Sequence, residues 1–257
     1  VTDTPETPLA PGTLTGVRAL VTGSSRGIGA DTATYLAAAG ARVAINYRNK
    51  EARALKLIER ITEAGGAAIA VGADLTDEAA VASLVDAIKA QFGGLDLLVL
   101  NASGGMESGM PEDYAMKLNR DAQVGFVQAI RPLLGPGSRI VFVTSHQAHF
   151  IRTVATMPEY MPVALSKRAG EDALRELVPG LESDGIEFVV VSGDMIEGTI
   201  TATLLERVNP GAIEARKEAA GRLYNVAEFA AEVARAAVEP IPANHTRYVG
   251  DVADFQR

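Results

Sequence analysis

The stretch VRALVTGSSRGIG at 17–29 constrains this chain more than any other. An apolar run that breaks into spaced glycines describes a strand that delivers its end to a helix. Gly23, Gly27 and Gly29 let the backbone turn tightly, approach a pyrophosphate and pack the following helix on the sheet. A helix beginning near Gly27 aims unpaired N–H groups and the positive end of its dipole at phosphate. The loop therefore predicts a dinucleotide site, with the spacing G-x-x-x-G-x-G in place of G-x-G-x-x-G.

Further along, strand-like apolar runs lie at 18–22, 42–46, 67–72, 95–100, 139–144, 187–192 and 246–249. Helical periodicity falls between them, at 28–39, 51–64, 77–92, 114–133, 163–181 and 226–238. This alternation predicts an α/β, Rossmann-like, doubly wound parallel sheet of about seven strands, with helices on both faces and ligands outside the strand C-termini. The 257 residues, 47% hydrophobic, suffice for one core. They read as a single domain over 13–257 after a flexible N-terminal arm at 1–12, VTDTPETPLAPG, which has little to pack.

Charge excludes other classes of function. With 24 basic against 32 acidic residues and no long basic run, a nucleic-acid surface is not expected. No apolar stretch approaches the roughly 20 residues that cross a bilayer. The lack of cysteine excludes disulfides and thiolate chemistry, and without a secretory signal the expected location is cytoplasmic.

The end of the second strand bears on the cofactor. An NAD site places Asp or Glu there to bind the ribose 2′-OH. Here 43–50 reads VAINYRNK, with no acid before Glu51. Arg48, and Arg26 inside the glycine loop, instead offer guanidinium groups to a 2′-phosphate. NADP(H) is therefore favoured, the alternative being two solvated surface charges.

TGSSRGIG at 22–29, Asp74 in GADLTD, Asn101 in LVLNASGG, Asn119, Ser145 and Lys167 resemble, in order and spacing, the motifs of the short-chain dehydrogenase/reductase family. The resemblance runs from about residue 14 to 250 and implies an NADP(H)-dependent oxidoreductase that forms a homodimer or homotetramer. It implies that Gly23, Ser25, Gly27, Ile28 and Gly29 bind the cofactor around the pyrophosphate, with Arg26 and Arg48 reaching the 2′-phosphate. Asp74, with Leu75 beside it, would meet the adenine, Asn101, Ala102 and Ser103 the adenosine ribose, and Thr199 the carboxamide. Ser145 would polarise the substrate carbonyl, and Asn119 would organise a proton-conducting water near Lys167. Lys167 would bind the nicotinamide ribose and lower the pKa of a proton-donating tyrosine.

That tyrosine normally stands four residues before the lysine, where this chain has Val163. Tyr160, seven residues before Lys167, is expected to replace it, since seven helical residues fall only about 20° short of two turns. Pro158 and Pro162 put Tyr160 at the helix entrance. Tyr-x6-Lys resembles enoyl-thioester reductases, most closely the type III enoyl-acyl-carrier-protein reductases, as do the words at 45–47, 101–104 and 191–193. In enoyl reduction charge collects on the thioester oxygen, away from the carbon that accepts hydride, so a more distant donor suits the transition state.

The expected activity is reduction of an enoyl thioester, within a class of small lipophilic or acyl-thioester substrates. Reduction of a ketone or 3-oxoacyl carbonyl and a non-catalytic NADP-binding protein are the alternatives. His146 and His149, in a long segment after Ser145, read as loop residues, with substrate binding or proton relay as the other possibility. Residues 195–222, with Ile196, Ile200, Leu204, Leu205 and Ile213, read as a mobile lid over an apolar substrate.

Overall fold

Four successive buried residues, 97–100, need helices on both sides of their strand. The computed structural model describes residues 7–107 and 109–256. The chain begins with β1 (Arg18–Val21), α1 (Gly27–Ala38), β2 (Arg42–Tyr47), α2 (Glu51–Glu63), β3 (Ala67–Gly72), α3 (Glu78–Phe92) and β4 (Leu95–Leu100). Next come α4 (Tyr114–Met116), a π turn (Lys117–Asp121), α5 (Ala122–Ile130), β5 (Leu134–Ser145) and α6 (His146–His149). The last part holds α7 (Met161–Ser183), β6 (Glu187–Gly193), α8 (Ile200–Val208), α9 (Ala212–Ala220), α10 (Val226–Ala236) and β7 (Thr246–Val249). All seven strands are parallel, in the order β3-β2-β1-β4-β5-β6-β7.

One face of the sheet is covered by α1, α2 and α10, through Leu36, Leu57, Ile61, Phe229 and Val233. The other is covered by α3, α5 and α7, through Leu84, Ile88, Phe126, Ile130 and Leu174. Side-chain caps begin two of these helices. The Asp77 carboxylate accepts from the N–H groups of Ala79 and Ala80 at the start of α3. Asn225 and Glu228 close a reciprocal capping box on α10.

One expected helix is broken, and three other segments take the following form. The helix expected over 114–133 is interrupted by the π turn, because Asn119 within it is drawn into bonds with Gly104 and Ser166. After Ser145 only His146–His149 are helical, the rest of the segment up to Tyr160 being turns and irregular chain, and 195–222 contains α8 and α9. Of the arm expected at 1–12, residues 1–6 lie outside the described residues, while Leu9 packs in the core beside Leu14. Among the described residues no helix is long and apolar enough to cross a membrane.

Candidate cofactor and substrate cleft

The strand order reverses between β1 and β4, and their C-terminal ends open a cleft of about 650 Å³. Polar side chains tie its rim. Thr22 Oγ1 accepts from the N–H groups of Asn101 and Ala102, both at 3.0 Å. Asn46, 2% exposed, accepts from Gly23 N–H through Oδ1 and donates to the carbonyls of Val71 and Ala73. A Cβ on Gly29 would stand 2.5 Å from Asn101 Nδ2 and 2.9 Å from Gly23 O, so only glycine lets α1 sit this close. Gly27, at φ +58°, borders open space, the cradle that a pyrophosphate requires and a side chain would fill.

Gly23, Ser25, Arg26, Gly27, Ile28, Gly29, Arg48, Asp74, Leu75, Asn101, Ala102 and Ser103 all line this cleft, as the sequence suggested. So do Lys50 and Arg53, which sequence reasoning passed over although RNKEAR at 48–53 carries three cations. Burial first, then the neighbouring Arg53 and Arg48, lower the Arg26 pKa against an opposing pull from Glu107. The Arg48 guanidinium bonds the Tyr114 hydroxyl and lies 5.9 Å from the centre of its ring. Glu51, the first acid after β2, accepts from the exposed Tyr47 hydroxyl at 2.8 Å and is outside the cleft lining. A crowd of cations with this little acid among them is a donor set for an anion.

At the other end, Tyr160 immediately precedes α7, and Pro162 occupies the first turn, where its missing N–H is harmless. Tyr160 is 5% exposed, and its hydroxyl stands 3.2 Å from Ser145 Oγ. Ser145 Oγ also accepts from Ala148 N–H as the cap of α6. Burial raises the Tyr160 pKa and the Ser145 bond opposes it, so the phenol keeps its proton at neutral pH. The lowering expected from Lys167 is not found; the one influence that lowers the Tyr160 pKa is the Ser145 bond. Burial lowers the Lys167 pKa to about 8, with Glu171 pulling it upward. Tyr160 and Lys167 line one cleft, together with Ser145 and Thr199, whose Oγ1 caps α8. Val163 is not itself a lining residue but packs in the apolar cluster of Tyr160, Ala148, Met195 and Leu205 that backs the cleft.

Asn119 is not brought to the cleft lining. Its Nδ2 donates to Gly104 O at 2.8 Å and Ser166 Oγ at 3.0 Å, and its Oδ1 accepts from Gly104 N–H. The side chain expected to organise a water instead joins the loop after β4 to α7. Its own carbonyl lies where a Cβ on Gly170 would come within 2.0 Å, so the two helices touch through backbone.

The two histidines are also outside the lining. His146 Nδ1 meets Ser192 Oγ at 2.8 Å and its Nε2 meets Val249 O at 3.2 Å. Burial holds its pKa at about 4. His149 lies between the Glu171 carboxylate at 2.9 Å and the Tyr248 hydroxyl at 3.1 Å. Between them in sequence, Gln147 does line the cleft, as does Asp194, and no sequence signal marked either. Ile196, Ile200 and Leu205 from the expected lid line it as well.

A family model of short chain dehydrogenases matches residues 18–209. The short chain dehydrogenase/reductase AacuN of Aspergillus aculeatus is 38% identical over 198 residues, 75% of this chain and 72% of that protein. A short chain dehydrogenase from Burkholderia cenocepacia J2315, solved in complex with NADP, is 32% identical with a TM-score of 0.76, covering 93% of this chain and 98% of the other. The angucycline C-6 ketoreductase LanV, solved with bound NADP, is 31% identical with a TM-score of 0.73, over 90% and 92% of the two chains.

Proposed function

Since this chain belongs to the short-chain dehydrogenase family of oxidoreductases, we propose that it uses NADP(H) to reduce the carbonyl of a small lipophilic ketone. The observation that carries this reading is the 3.2 Å separation of the Tyr160 and Ser145 hydroxyls. Two donors that converge on one point suit a single carbonyl oxygen on which negative charge develops. The similarity to LanV, a ketoreductase, supports the same chemistry.

The cleft fits the cofactor. Arg26, Arg48, Lys50 and Arg53 would hold the 2′-phosphate, and the backbone at 25–29 the pyrophosphate. Asp74 and Leu75 would meet the adenine, Asn101, Ala102 and Ser103 the near ribose, Lys167 the far ribose and Thr199 the carboxamide. When bound, NADPH supplies the hydride. Tyr160 gives its proton to the carbonyl oxygen while Ser145 polarises that oxygen by hydrogen bonding. The Lys167 ammonium steadies the phenolate left behind. Asn119 positions α7 through Ser166, and Met157, Met195 and Leu205 keep the substrate end apolar.

The Tyr-x6-Lys spacing favours a second reading, reduction of an enoyl thioester as in the type III enoyl-acyl-carrier-protein reductases. Both readings keep a cytoplasmic location, where NADPH serves as reductant. Both also keep a homodimer or homotetramer, consistent with the half-exposed Leu165 on α7. The test is NADPH oxidation with ketones, 3-oxoacyl thioesters and enoyl thioesters in parallel. Ketone turnover well above enoyl turnover is expected. Turnover of enoyl thioesters alone would install the second reading, and NADPH binding without turnover of any of these would make the chain a cofactor-binding protein.

A further inference from the structure

Gln147 stands two residues beyond Ser145, on the short helix α6, and is 8% exposed while still lining the cleft. Its Nε2 lies 2.6 Å from Asp194 Oδ1. A carboxylate only accepts hydrogen bonds, so the amide nitrogen must face it and the amide oxygen must take the other side. Asp194 has little freedom to turn. It also accepts from Met195 N–H at 2.7 Å and from Arg216 Nε and Nη2 of α9, each 2.8 Å from Oδ2. Arg216 in turn lies 4.8 Å from the centre of the Phe255 ring. The orientation of the Gln147 amide is thus locked from three elements.

What remains is an acceptor without a partner. Among the described residues none donates to Gln147 Oε1, and this atom is not sealed into the core. Around it the substrate end of the cleft is apolar, with Met157, Met195 and Leu205. A ligand with only apolar surface here would strip water from the amide oxygen and return nothing, whereas a hydroxyl would satisfy it.

We propose that Gln147 is a specificity-determining residue whose Oε1 selects ketones bearing a hydroxyl group, with Asp194 and Arg216 as the positioning residues that aim it. The inference deepens the ketone-reductase reading and rests on it. A site built to bond a substrate hydroxyl rejects the analogue that lacks it far better than an apolar pocket distinguishes a methylene.

The test compares 1-tetralone with its 5-, 6- and 7-hydroxy derivatives. One readout is kcat/KM with NADPH, and the other is ketone affinity for the protein saturated with NADP⁺, which needs no turnover. At least one hydroxytetralone is expected to exceed 1-tetralone by about tenfold in both readouts, as a satisfied against an unsatisfied buried acceptor implies. In Gln147→Met that ratio is expected to fall towards one. Equal values for all four ketones in the wild-type protein, or an undiminished ratio in the variant, would overturn the role of Gln147 while leaving ketone reduction intact. If no ketone is reduced but enoyl thioesters are, the ketone-reductase reading fails. In that case absence of hydroxytetralone preference in the NADP⁺ complex separately overturns the acceptor, and persistence of the preference retains it as a binding determinant.

Discussion

Glu171 and His149 meet across the joint between α7 and α6, with Oε2 2.9 Å from Nδ1 and the glutamate fully buried. Arg175 Nε bonds the other carboxylate oxygen at 2.9 Å, and the Tyr248 hydroxyl closes the far side of the imidazole. Burial pushes the Glu171 carboxyl upward, yet the His149 bond and Arg175 outweigh it and hold the pKa below the ordinary carboxylate value. This contact fixes α6, and with it Ser145 and Gln147, relative to the helix that carries Lys167. Glu171→Ala leaves Arg175 and His149 without their buried acceptor and is expected to cost about 3 kcal/mol, read as a lowered urea midpoint. A midpoint equal to wild type would show that the joint is held by packing alone.

Cofactor choice depends on the basic end of the cleft. The wild-type chain is expected to bind NADPH more tightly than NADH, and Arg48→Ala should erode that preference by roughly 1–3 kcal/mol, the range for charge-assisted hydrogen bonds. Calorimetric titration of both cofactors into both proteins measures it. Equal affinities in the wild type would reject the 2′-phosphate assignment.

Proton delivery depends on Tyr160. Tyr160→Phe is expected to leave NADPH affinity almost unchanged and to lower kcat by about 10² or more, as for loss of one general acid or oxyanion donor. Full activity in this variant would remove Tyr160 from the mechanism.

Lys167 sets a pH limit. Its ammonium gives up a proton near pH 8 in the folded chain against an ordinary value of 10.5. As pH rises through 8 the charge that binds ribose and steadies phenolate is lost, so kcat/KM for NADPH, which reports the free enzyme, is expected to decline. Between pH 8 and 10.5 the unfolded chain binds the extra proton, so this lysine's contribution to stability improves over the same window. Activity that falls while this contribution rises separates titration of Lys167 from simple alkaline unfolding.

His146 gives a stability trend of the same sign in acid. Its pKa of about 4 lies below the ordinary 6.5, since burial penalises the imidazolium more than Asp194 attracts it. From pH 6.5 down to 4 the unfolded state binds more protons, so stability is lost as pH falls, by up to about 1.4 kcal/mol per pH unit. His146→Gln is expected to show a shallower fall in melting temperature between pH 6.5 and 5 than the wild type. An identical slope would assign the acid sensitivity to the carboxylates instead.

Much of this molecule was legible in the order of its residues. The strands are apolar because both faces of the sheet are covered, and the glycines of the first turn are required by backbone geometry within a few residues of themselves. Arg26, Arg48, Asp74, Asn101, Ser145, Tyr160 and Lys167 were marked by motif and spacing, and the fold carries all of them to one cleft. Such features are written locally, in periodicity, caps and turn chemistry.

Tertiary structure alone decided the rest. It drew Asn119 out of a regular helix and into bonds with Gly104 and Ser166, and it turned Val163 into an apolar cluster. It made His146 and His149 into struts, and it paired Gln147 with Asp194, 47 residues apart. No sequence pattern reports these pairings. Whether a histidine reaches solvent or an amide meets a carboxylate depends on which strand ends stand side by side, and parallel crossovers bring distant segments together without a local mark.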